Sequence, residues 1–260
     1  MAAPLPLLTI AGSDSGGAAG LQADLKTWAA LGAYGMSAIT AATAQNSAAV
    51  QRVYDLPPDF VAAQIDAVLS DYGAAAVKTG FLGRVKVIEA VAGRLAYWRD
   101  ALPVRPVVVI DPVLVNHRGE SMFGPAVAAA YRQWLFPLAD LVTPNRAEAT
   151  LLGIAAERER STLHLGSPAP HLLLTGWRRD AAEIVDLYWD GGAAHELTQP
   201  RIDTANTHGS GDTLSAAICA YRARGHDWLE AVNLARAYTH EAIQRGAGWQ
   251  LGAGHGPLGH

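Results

Sequence analysis

The stretch Asn206–Ile218 contains the residue types from which a phosphate site can be built. Its Gly209-Ser210-Gly211 turn lets the backbone approach a ligand closely, and the apolar run behind it predicts a helix whose first N–H groups lack intrahelical partners. Such a helix start favours an anion. Asp212 stands at the same place, either as an ordinary helix cap or as the base that accepts a hydroxyl proton during phosphoryl transfer.

Composition restricts the class of protein. The chain has 260 residues, half of them hydrophobic, which predicts one large domain over residues 1–260. A formal charge of −4 without a long basic run argues against nucleic-acid and anionic-membrane partners and favours a small-molecule ligand. The single cysteine, Cys219, excludes an internal disulfide. The sequence shows neither a secretory signal nor an apolar run of roughly 20 residues, so we expect a cytoplasmic protein.

Strands and helices alternate along the chain, and glycine or polar residues follow most strands. The predicted strands are Leu5–Ala11, Tyr34–Thr43, Val50–Leu56, Ala74–Gly80, Val107–Ile110, Leu141–Thr143 and Leu172–Leu174. The predicted helices cover Gly20–Leu31, the segment after Pro58, Val85–Trp98, the segment opened by Pro144, and Trp228–Gln244. This order indicates an α/β fold with a mostly parallel sheet and helices on both faces.

A different pattern between Glu183 and Ile202 predicts an antiparallel edge of this sheet. Glu183–Asp190 alternates in polarity, Gly191-Gly192 is a plausible hairpin turn, and Ala193–Ile202 returns as a strand.

Polar residues follow the predicted strands at similar positions. They are Ser13, Asp14, Gln45, Lys78, Asp111, Asn145, Glu148 and Thr175. Each one alone is more often a cap or a surface residue, but ligands of parallel sheets bind at the carboxyl ends of the strands. The repeated position therefore predicts one shared site. The loop Gly12–Gly20 is either a solvent loop or part of that site, because its small residues expose backbone amides.

With these residues in view, the chain resembles the ribokinase superfamily, and more narrowly the bacterial hydroxymethylpyrimidine/phosphomethylpyrimidine kinases. The resemblance lies in the stretches Leu8–Asp14, Gln22–Thr27, Leu31–Gly35, Thr43–Asn46, Asp111–Val113, Thr143–Glu148, Asn206–Gly209, Thr213–Ala217 and Gly254–Leu258. It implies a ribokinase-like three-layer sandwich, ATP and Mg²⁺ as cofactors, and a homodimer. It also implies two reactions, in which 4-amino-5-hydroxymethyl-2-methylpyrimidine is converted to its monophosphate and then to the diphosphate.

The resemblance also implies roles for particular residues. Gln45 falls where the family reads the aminopyrimidine edge, and its amide offers a donor and an acceptor side by side. The other implied substrate-binding residues are Gly12, Asp24, Phe81 and Val113. Phe81 falls where methionine is frequent in the family, and an aromatic face can stack on the pyrimidine ring.

The implied phosphate end of the site centres on the Asn-x-x-Glu motif formed by Asn145 and Glu148. Glu148, with Asp111 beside it, would organise Mg²⁺ through water, since magnesium prefers oxygen ligands and retains several waters. Lys78, Asn145, Thr175 and Ser210 are the expected ATP and phosphate ligands. Gly209 and Gly211 would supply N–H groups to the transferred phosphate, with Asp212 as the catalytic base.

Some positions depart from the pyrimidine kinases. These kinases usually carry cysteine where Asp212 stands, whereas ribokinases and pyridoxal kinases use aspartate. The lysine-containing family segments correspond to Leu174–Trp177 and Asn116–Gly119, so Arg118 or Lys78 would have to replace the lost cations. The segment between Leu152 and Leu172 is shorter than in the family, which predicts that a helix there is abbreviated or lost.

Two alternatives follow from these departures. Asp212 favours a pyridoxal or pyridoxine kinase of the same superfamily. The missing cations favour a catalytically weak pyrimidine-binding protein.

Overall fold

The order and pairing of the strands define the fold in this computed structural model. The structure describes residues 3–116, 118–157, 162–164 and 171–260. Its strands are β1 (Pro6–Asp14), β2 (Tyr34–Gln45), β3 (Val50–Asp55), β4 (Ala76–Thr79), β5 (Val107–Ile110), β6 (Leu141–Val142), β7 (Ala155–Glu157), β8 (Thr162–His164), β9 (His171–Arg179), β10 (Glu183–Trp189) and β11 (Ala194–Pro200).

A nine-stranded sheet in the order β11-β10-β9-β6-β5-β4-β1-β2-β3 forms the centre of the fold. The pairings from β9 through β6, β5, β4 and β1 to β2 are all parallel. β10 and β11 add an antiparallel edge, as the sequence predicts. β3 pairs antiparallel with β2, so the opposite edge is antiparallel too.

Helices cover both faces of this sheet. They are α1 (Gly20–Ala30), α2 (Pro58–Asp71), α3 (Val85–Ala101), α4 (Pro125–Ala130), α5 (Arg146–Leu151), α6 (Ser210–Ala223) and α7 (Trp228–Gly246). α4 continues into a π-helical turn at Tyr131–Leu135 and a 3-10 turn at Phe136–Leu138. No helix within the described ranges is long and apolar enough to cross a membrane.

Neighbouring residues of the central strands belong to two different cores, because successive side chains of a strand point to opposite faces. Leu7 and Val109 pack with side chains of α1, α6 and α7. Leu8 and Val108 pack with side chains of α2 and α3. The apolar run Val107–Ile110 is thus buried on both sides, which is the arrangement expected for a central parallel strand. The predicted arrangement, a mostly parallel sheet with helices on both faces, is confirmed.

The structure corrects two predicted strand ends and one predicted helix start. β1 continues through Asp14, because Ser13 and Asp14 still pair with β2 beyond an irregularity after Ala11. β9 continues to Arg179, since β10 pairs with it antiparallel far beyond Leu174. Pro144 does not open α5, whose N-cap is Asn145. These extensions bring polar residues of the strands themselves into the site.

The short segment between Leu152 and Leu172 lies partly outside the described residues, and the helix prediction there is not tested. Its described parts, β7 and β8, pair antiparallel as a separate two-stranded ladder.

Candidate active site

A cleft of about 1000 Å³ opens at the carboxyl ends of the parallel strands. The start of α6, the loop between β1 and α1, and the end of β2 contribute to its walls. The predicted site residues that line it are Gly12, Gln45, Phe81, Asp111, Val113, Asn145, Glu148, Thr175, Gly209, Ser210, Gly211 and Asp212. The structure therefore brings together residues that are spread over most of the chain. Asp24 and Lys78 do not line it.

Asp212 lies at the start of α6 but does not cap the helix. Gly209 is the N-cap, with a left-handed φ of 85°, and no side chain caps α6. The two carboxylate oxygens of Asp212 instead bind other elements: Oδ2 accepts the Gly20 N–H at 3.0 Å and Oδ1 accepts Lys78 Nζ at 2.9 Å. The capping interpretation of Asp212 is wrong, because its oxygens bind groups from α1 and β4.

Lys78 and Asp24 form a buried ion pair beneath the cleft. Lys78 Nζ lies 2.7 Å from Asp24 Oδ1, and neither side chain is exposed to solvent. Thr9 Oγ1 donates to the other Asp24 oxygen at 2.6 Å. Burial alone would lower the pKa of Lys78, but the carboxylates of Asp212, Asp24 and Asp111 outweigh it and raise that pKa, so the ammonium stays charged.

This burial corrects two predicted contacts. Asp24 is not placed to touch a substrate in the cleft, because its carboxylate is fully enclosed and committed to Thr9 and Lys78. Lys78 is not placed to bind ATP, because its ammonium is enclosed among carboxylates. Both residues act on the cleft only through their neighbours.

The loop after β1 is ordered by Asp14, and its two ends line the cleft, which favours the site interpretation over a solvent loop. The carboxylate of Asp14 accepts the backbone N–H groups of Gly16, Ala18 and Ala19 at 2.8–3.0 Å. It holds the loop against α6, where a Cβ at Gly209 would lie only 1.9 Å from the Ala18 carbonyl oxygen. The sequence indicates this turn, because an aspartate followed by small residues is typical of turns in which the carboxylate accepts backbone N–H groups.

Gln45 lies in the cleft beside Ser15 of the loop after β1, within a group of polar side chains. Its amide oxygen accepts from Thr43 Oγ1 at 3.3 Å, and its amide nitrogen lies 3.3 Å from His208 Nε2. The His208 ring stacks on His255 at 5.2 Å, and His255 contacts Thr207. His208 and His255 also line the cleft, and no pattern in the sequence assigned them to the site.

Phe81 and Gly12 form an apolar wall beside this polar group. A Cβ at Gly12 would lie 3.1 Å from Phe81 Cδ1, so glycine leaves space for the ring. The backbone carbonyl of Phe81 accepts Thr40 Oγ1 at 2.6 Å. The wall offers a flat aromatic face to a planar ligand.

Asn145 and Glu148 form a capping box at the start of α5. The Asn145 side-chain oxygen accepts the N–H groups of Ala147 and Glu148, and Glu148 Oε2 accepts the Asn145 N–H at 2.9 Å. Glu148 Oε1 also accepts the Leu114 N–H at 3.1 Å. The amide nitrogen of Asn145 is thereby turned away from the cap and left for another acceptor.

The pKa values of two carboxyl groups near this capping box, Glu148 and Asp111, are raised. Burial raises the pKa of the Glu148 carboxyl to about 8, and the Asp111 carboxylate adds to the rise. Burial also raises the pKa of Asp111 to about 6, although Lys78 opposes the shift. Perturbed carboxyls facing a cleft are characteristic of functional sites.

The donors at this end fit magnesium but not a fully protein-ligated metal. Within the described residues, no group of three or more His, Cys, Asp or Glu side chains is arranged to hold a metal ion. Asp111 and Glu148 supply carboxylate oxygens to the cleft, and Glu148 already accepts a backbone N–H on each oxygen. Magnesium suits such a site, because it is commonly held by one or two carboxylates, substrate phosphates and water.

Besides Arg236, three arginines line the cleft: Arg118, Arg146 and Arg179. Among the described side chains, none of these three guanidinium groups pairs with a carboxylate. Arg146 lies over the Trp177 ring at 5.9 Å. Sequence reasoning named only Arg118, because the other two are not at family lysine positions.

The cleft therefore combines a carboxylate at a glycine-bordered helix start with a buried acidic end at the edge of a parallel sheet. Fold and site together define a small-molecule kinase of the ribokinase-like class. A family model described as phosphomethylpyrimidine kinase matches residues 14–259. The chain belongs to this phosphomethylpyrimidine kinase family.

Similar proteins support that membership. The chain is 44% identical to the hydroxymethylpyrimidine/phosphomethylpyrimidine kinase of Rhizobium meliloti, over 97% of this chain and 96% of the relative. It is also 44% identical to the thiamine biosynthesis bifunctional protein ThiED of Geobacter sulfurreducens, over 99% of this chain and 53% of the relative. The chain thus spans about half the length of that bifunctional relative.

A solved structure confirms the fold. The pyridoxal kinase of Bacillus subtilis, determined as an ADP complex, is 34% identical and superposes with a TM-score of 0.84. The match covers 99% of this chain and 98% of that one.

Gly209 and Gly211 provide a matched test of the turn before α6. We expect Gly209→Ala to lower the free energy of unfolding by about 1–3 kcal/mol or more, because φ is positive and the Cβ would collide with the Ala18 carbonyl. Gly211→Ala meets no atom within 4 Å and should be neutral or stabilising. Urea unfolding measures both, and equal losses would contradict the packing described.

The raised pKa of Glu148 predicts a pH-dependent stability of the metal-free protein. A carboxyl whose pKa rises from 4.5 to about 8 on folding binds more protons when folded, so its contribution to stability falls as pH rises through that window. Glu148→Gln removes the titrating carboxyl and with it this contribution to the pH dependence of stability. We expect the variant to lose less stability than the natural chain across the window, at about 1.4 kcal/mol per pKa unit removed. If the free energy of unfolding changed with pH equally in the two proteins, the raised pKa of Glu148 would be refuted.

Proposed function

We infer that the protein is an ATP-dependent kinase of thiamine biosynthesis. It phosphorylates 4-amino-5-hydroxymethyl-2-methylpyrimidine to the monophosphate and then converts the monophosphate to the diphosphate. One observation carries this inference: the Asp212 carboxylate borders the same cleft as Gln45 and the Asn145–Glu148 box, in a chain of the phosphomethylpyrimidine kinase family. The names of the relatives support both substrates.

The acceptor lies at the Gln45 end of the cleft in this proposal. The Gln45 amide pairs with the amino group and adjacent ring nitrogen of the pyrimidine, since it offers an acceptor and a donor side by side. Phe81 stacks on the ring, and Gly12 and Val113 complete the pocket, all of them at the cleft surface. This places the hydroxymethyl group toward Asp212.

ATP lies across the other end, with its transferred phosphate at the start of α6. The N–H groups of Gly209 and Gly211, the Ser210 side chain and the helix N-terminus neutralise charge there, while the Ser210 N–H donates to the Thr207 carbonyl at 3.1 Å. Thr175 and the amide nitrogen of Asn145 are further phosphate ligands. The ADP complex of the Bacillus subtilis pyridoxal kinase supports an adenine nucleotide in this fold.

Asp111 and Glu148 hold Mg²⁺ in this proposal, with Glu148 acting through water. When bound, the ion neutralises negative charge on the phosphates. The protein's own task is to keep two carboxyls beside the phosphate end in the correct geometry. Hydrogen bonds from Ser215 Oγ to Asp111 and from Leu114 N and Asn145 N to Glu148 serve that purpose.

In the first reaction, the substrate hydroxyl oxygen attacks the γ-phosphorus of ATP. The bond from that phosphorus to the bridging oxygen breaks, ADP leaves, and Asp212 accepts the hydroxyl proton. A weak base is sufficient because the transition state is loose and the proton leaves late. Positioning and charge neutralisation supply most of the rate.

Pyridoxal is the competing acceptor, and Asp212 is the observation that favours it. The family match and the relatives favour the pyrimidine. Turnover of hydroxymethylpyrimidine and pyridoxal by one preparation therefore decides the substrate.

We predict that incubation with hydroxymethylpyrimidine, ATP and Mg²⁺ yields the monophosphate followed by the diphosphate, as resolved by chromatography and mass spectrometry. Asp212→Asn should lower kcat by about 10²–10⁴-fold while leaving the pyrimidine KM similar, because a general base acts mainly in the transition state. The matched control is Asp203→Asn, whose fully exposed side chain lies nine residues earlier. Efficient turnover of pyridoxal without turnover of the pyrimidine would overturn the substrate assignment.

A homodimer belongs to the same proposal. The edge strand β3 exposes Val50, Val53 and Tyr54 by 54%, 47% and 72%, and an open apolar edge invites pairing with a second copy. Sedimentation should give about twice the chain mass of 27.4 kDa, and Val53→Lys should weaken the association. A monomer at micromolar concentration would contradict this part of the proposal.

A single kinase domain over residues 1–260 and a cytoplasmic location complete the proposal. One continuous sheet supports the first. The buried free thiol of Cys219 is consistent with the second.

A further inference from the structure

We propose that Lys78 is a positioning residue for phosphoryl transfer. Its ammonium, held in place by Asp24, fixes the Asp212 carboxylate in the orientation from which it meets the acceptor hydroxyl. This inference rests on the proposed function, in which Asp212 is the base. Neither the family name nor the names of the relatives assign such a role to Lys78.

A continuous chain of contacts connects the core to the reacting carboxylate. Thr9 Oγ1 donates to Asp24 at 2.6 Å, and Lys78 Nζ donates to the other Asp24 oxygen at 2.7 Å. The same ammonium donates to Asp212 Oδ1 at 2.9 Å. The four residues come from β1, α1, β4 and α6. The orientation of the Asp212 side chain is therefore tied to the centre of the sheet as well as to α6.

The two oxygens of Asp212 are held from different sides. Lys78 occupies Oδ1, and the Gly20 N–H occupies Oδ2 at 3.0 Å. Two donors on two oxygens fix the rotation of the carboxylate plane. Each carboxylate oxygen still has a second lone-pair site for the substrate hydroxyl. Such preorganisation lowers the barrier because little reorganisation is needed when the proton arrives.

Burial makes Lys78 a positioning residue and not a ligand. Its side chain has no exposed surface and does not line the cleft, whereas the Asp212 side chain is 14% exposed and does line it. The ammonium thus acts on the substrate only through Asp212. Lysine is suited to this task because its ammonium offers three donors, and two of them are used by Asp24 and Asp212.

Gly80 keeps the meeting point of Lys78 and Asp212 open. A Cβ at Gly80 would lie 3.1 Å from Ala11 Cβ, 3.3 Å from Lys78 Nζ and 3.7 Å from Asp212 Oδ1. A side chain here would press on the ammonium and its partner together. The glycine after β4 is therefore explained by the same contact.

The ammonium also reaches toward the metal end of the cleft. Asp111 Oδ2 lies 3.9 Å from Lys78 Nζ, and Ser215 Oγ donates to that same oxygen at 2.9 Å. One buried cation thus lies between the acceptor-side carboxylate and a carboxylate of the phosphate end. It reduces the repulsion between Asp111 and Asp212 in a site that must also accept a triphosphate.

The test is the charge-balanced double variant Lys78→Met/Asp24→Asn. Lys78→Met alone would leave a buried, unpaired Asp24 and could fail to fold. The double variant removes both charges of the buried pair, and the amide oxygen introduced by Asp24→Asn can still accept from Thr9. We expect kcat for hydroxymethylpyrimidine to fall by roughly 10–100-fold, with the KM values for pyrimidine and ATP changed less than about threefold.

A double-mutant cycle distinguishes positioning from general damage. In an Asp212→Asn background the Lys78→Met/Asp24→Asn change should cost kcat less than about threefold, because the carboxylate that it positions is gone. Circular dichroism and thermal unfolding establish that each variant folds. Lys78→Gln/Asp24→Asn, which keeps a donor on residue 78, is the second variant and should retain more activity than the methionine form.

Three results would overturn the proposal. The first is a folded double variant with kcat close to that of the natural chain. The second is a rise of both KM values in parallel with the loss of kcat, which would indicate a deformed cleft. The third is full activity of Asp212→Asn, which defeats the proposed base and the positioning role with it. The first two leave the proposed base intact, so the two failures are distinguishable.

Discussion

The ammonium of Lys78 is the constraint on which the rest of the site depends. It is enclosed by the carboxylates of Asp24, Asp212 and Asp111, and it has no contact with solvent. Removing one partner from a buried pair generally costs about 3–5 kcal/mol, so β4, α1 and α6 cannot move independently of one another. The sheet and the helix that starts at the glycine turn are thereby joined at the point where chemistry is proposed.

The parallel sheet sets the positions of the other cleft residues around Lys78 and Asp212. The ends of β5 and β6 bring Asp111 and Asn145 to the cleft, and an isolated bridge pairs Asn145 with Thr175 inside β9. Asp14 orders the loop that presents the Gly20 N–H to Asp212. Positioning of this kind is what phosphoryl transfer requires of a protein.

Much of this arrangement was predictable from local patterns. Val107–Ile110 predicts a doubly buried strand because its branched residues are consecutive. The helix after Pro144 was also expected, although its N-cap and capping box at Asn145 and Glu148 were not. The pairing of Asp24 with Lys78 was not predictable, since it joins residues 54 positions apart and changes two expected ligands into buried partners. His208 and His255 lie in stretches that resemble the family, Asn206–Gly209 and Gly254–Leu258, but their ring contact depends on the folded tail and was not predictable. The partners of the Asp212 carboxylate, Lys78 and the Gly20 N–H, were not predictable either, because both lie far from it in the sequence.

The most direct measurement is a crystal structure with hydroxymethylpyrimidine, Mg²⁺ and a non-hydrolysable ATP analogue. We predict that the substrate hydroxyl oxygen lies about 2.6–3.2 Å from an Asp212 carboxylate oxygen, with Lys78 still bound to that carboxylate and the γ-phosphate at the start of α6. A pyrimidine bound with its hydroxymethyl group directed away from Asp212, or an Asp212 side chain turned from both Lys78 and the hydroxyl, would contradict this geometry.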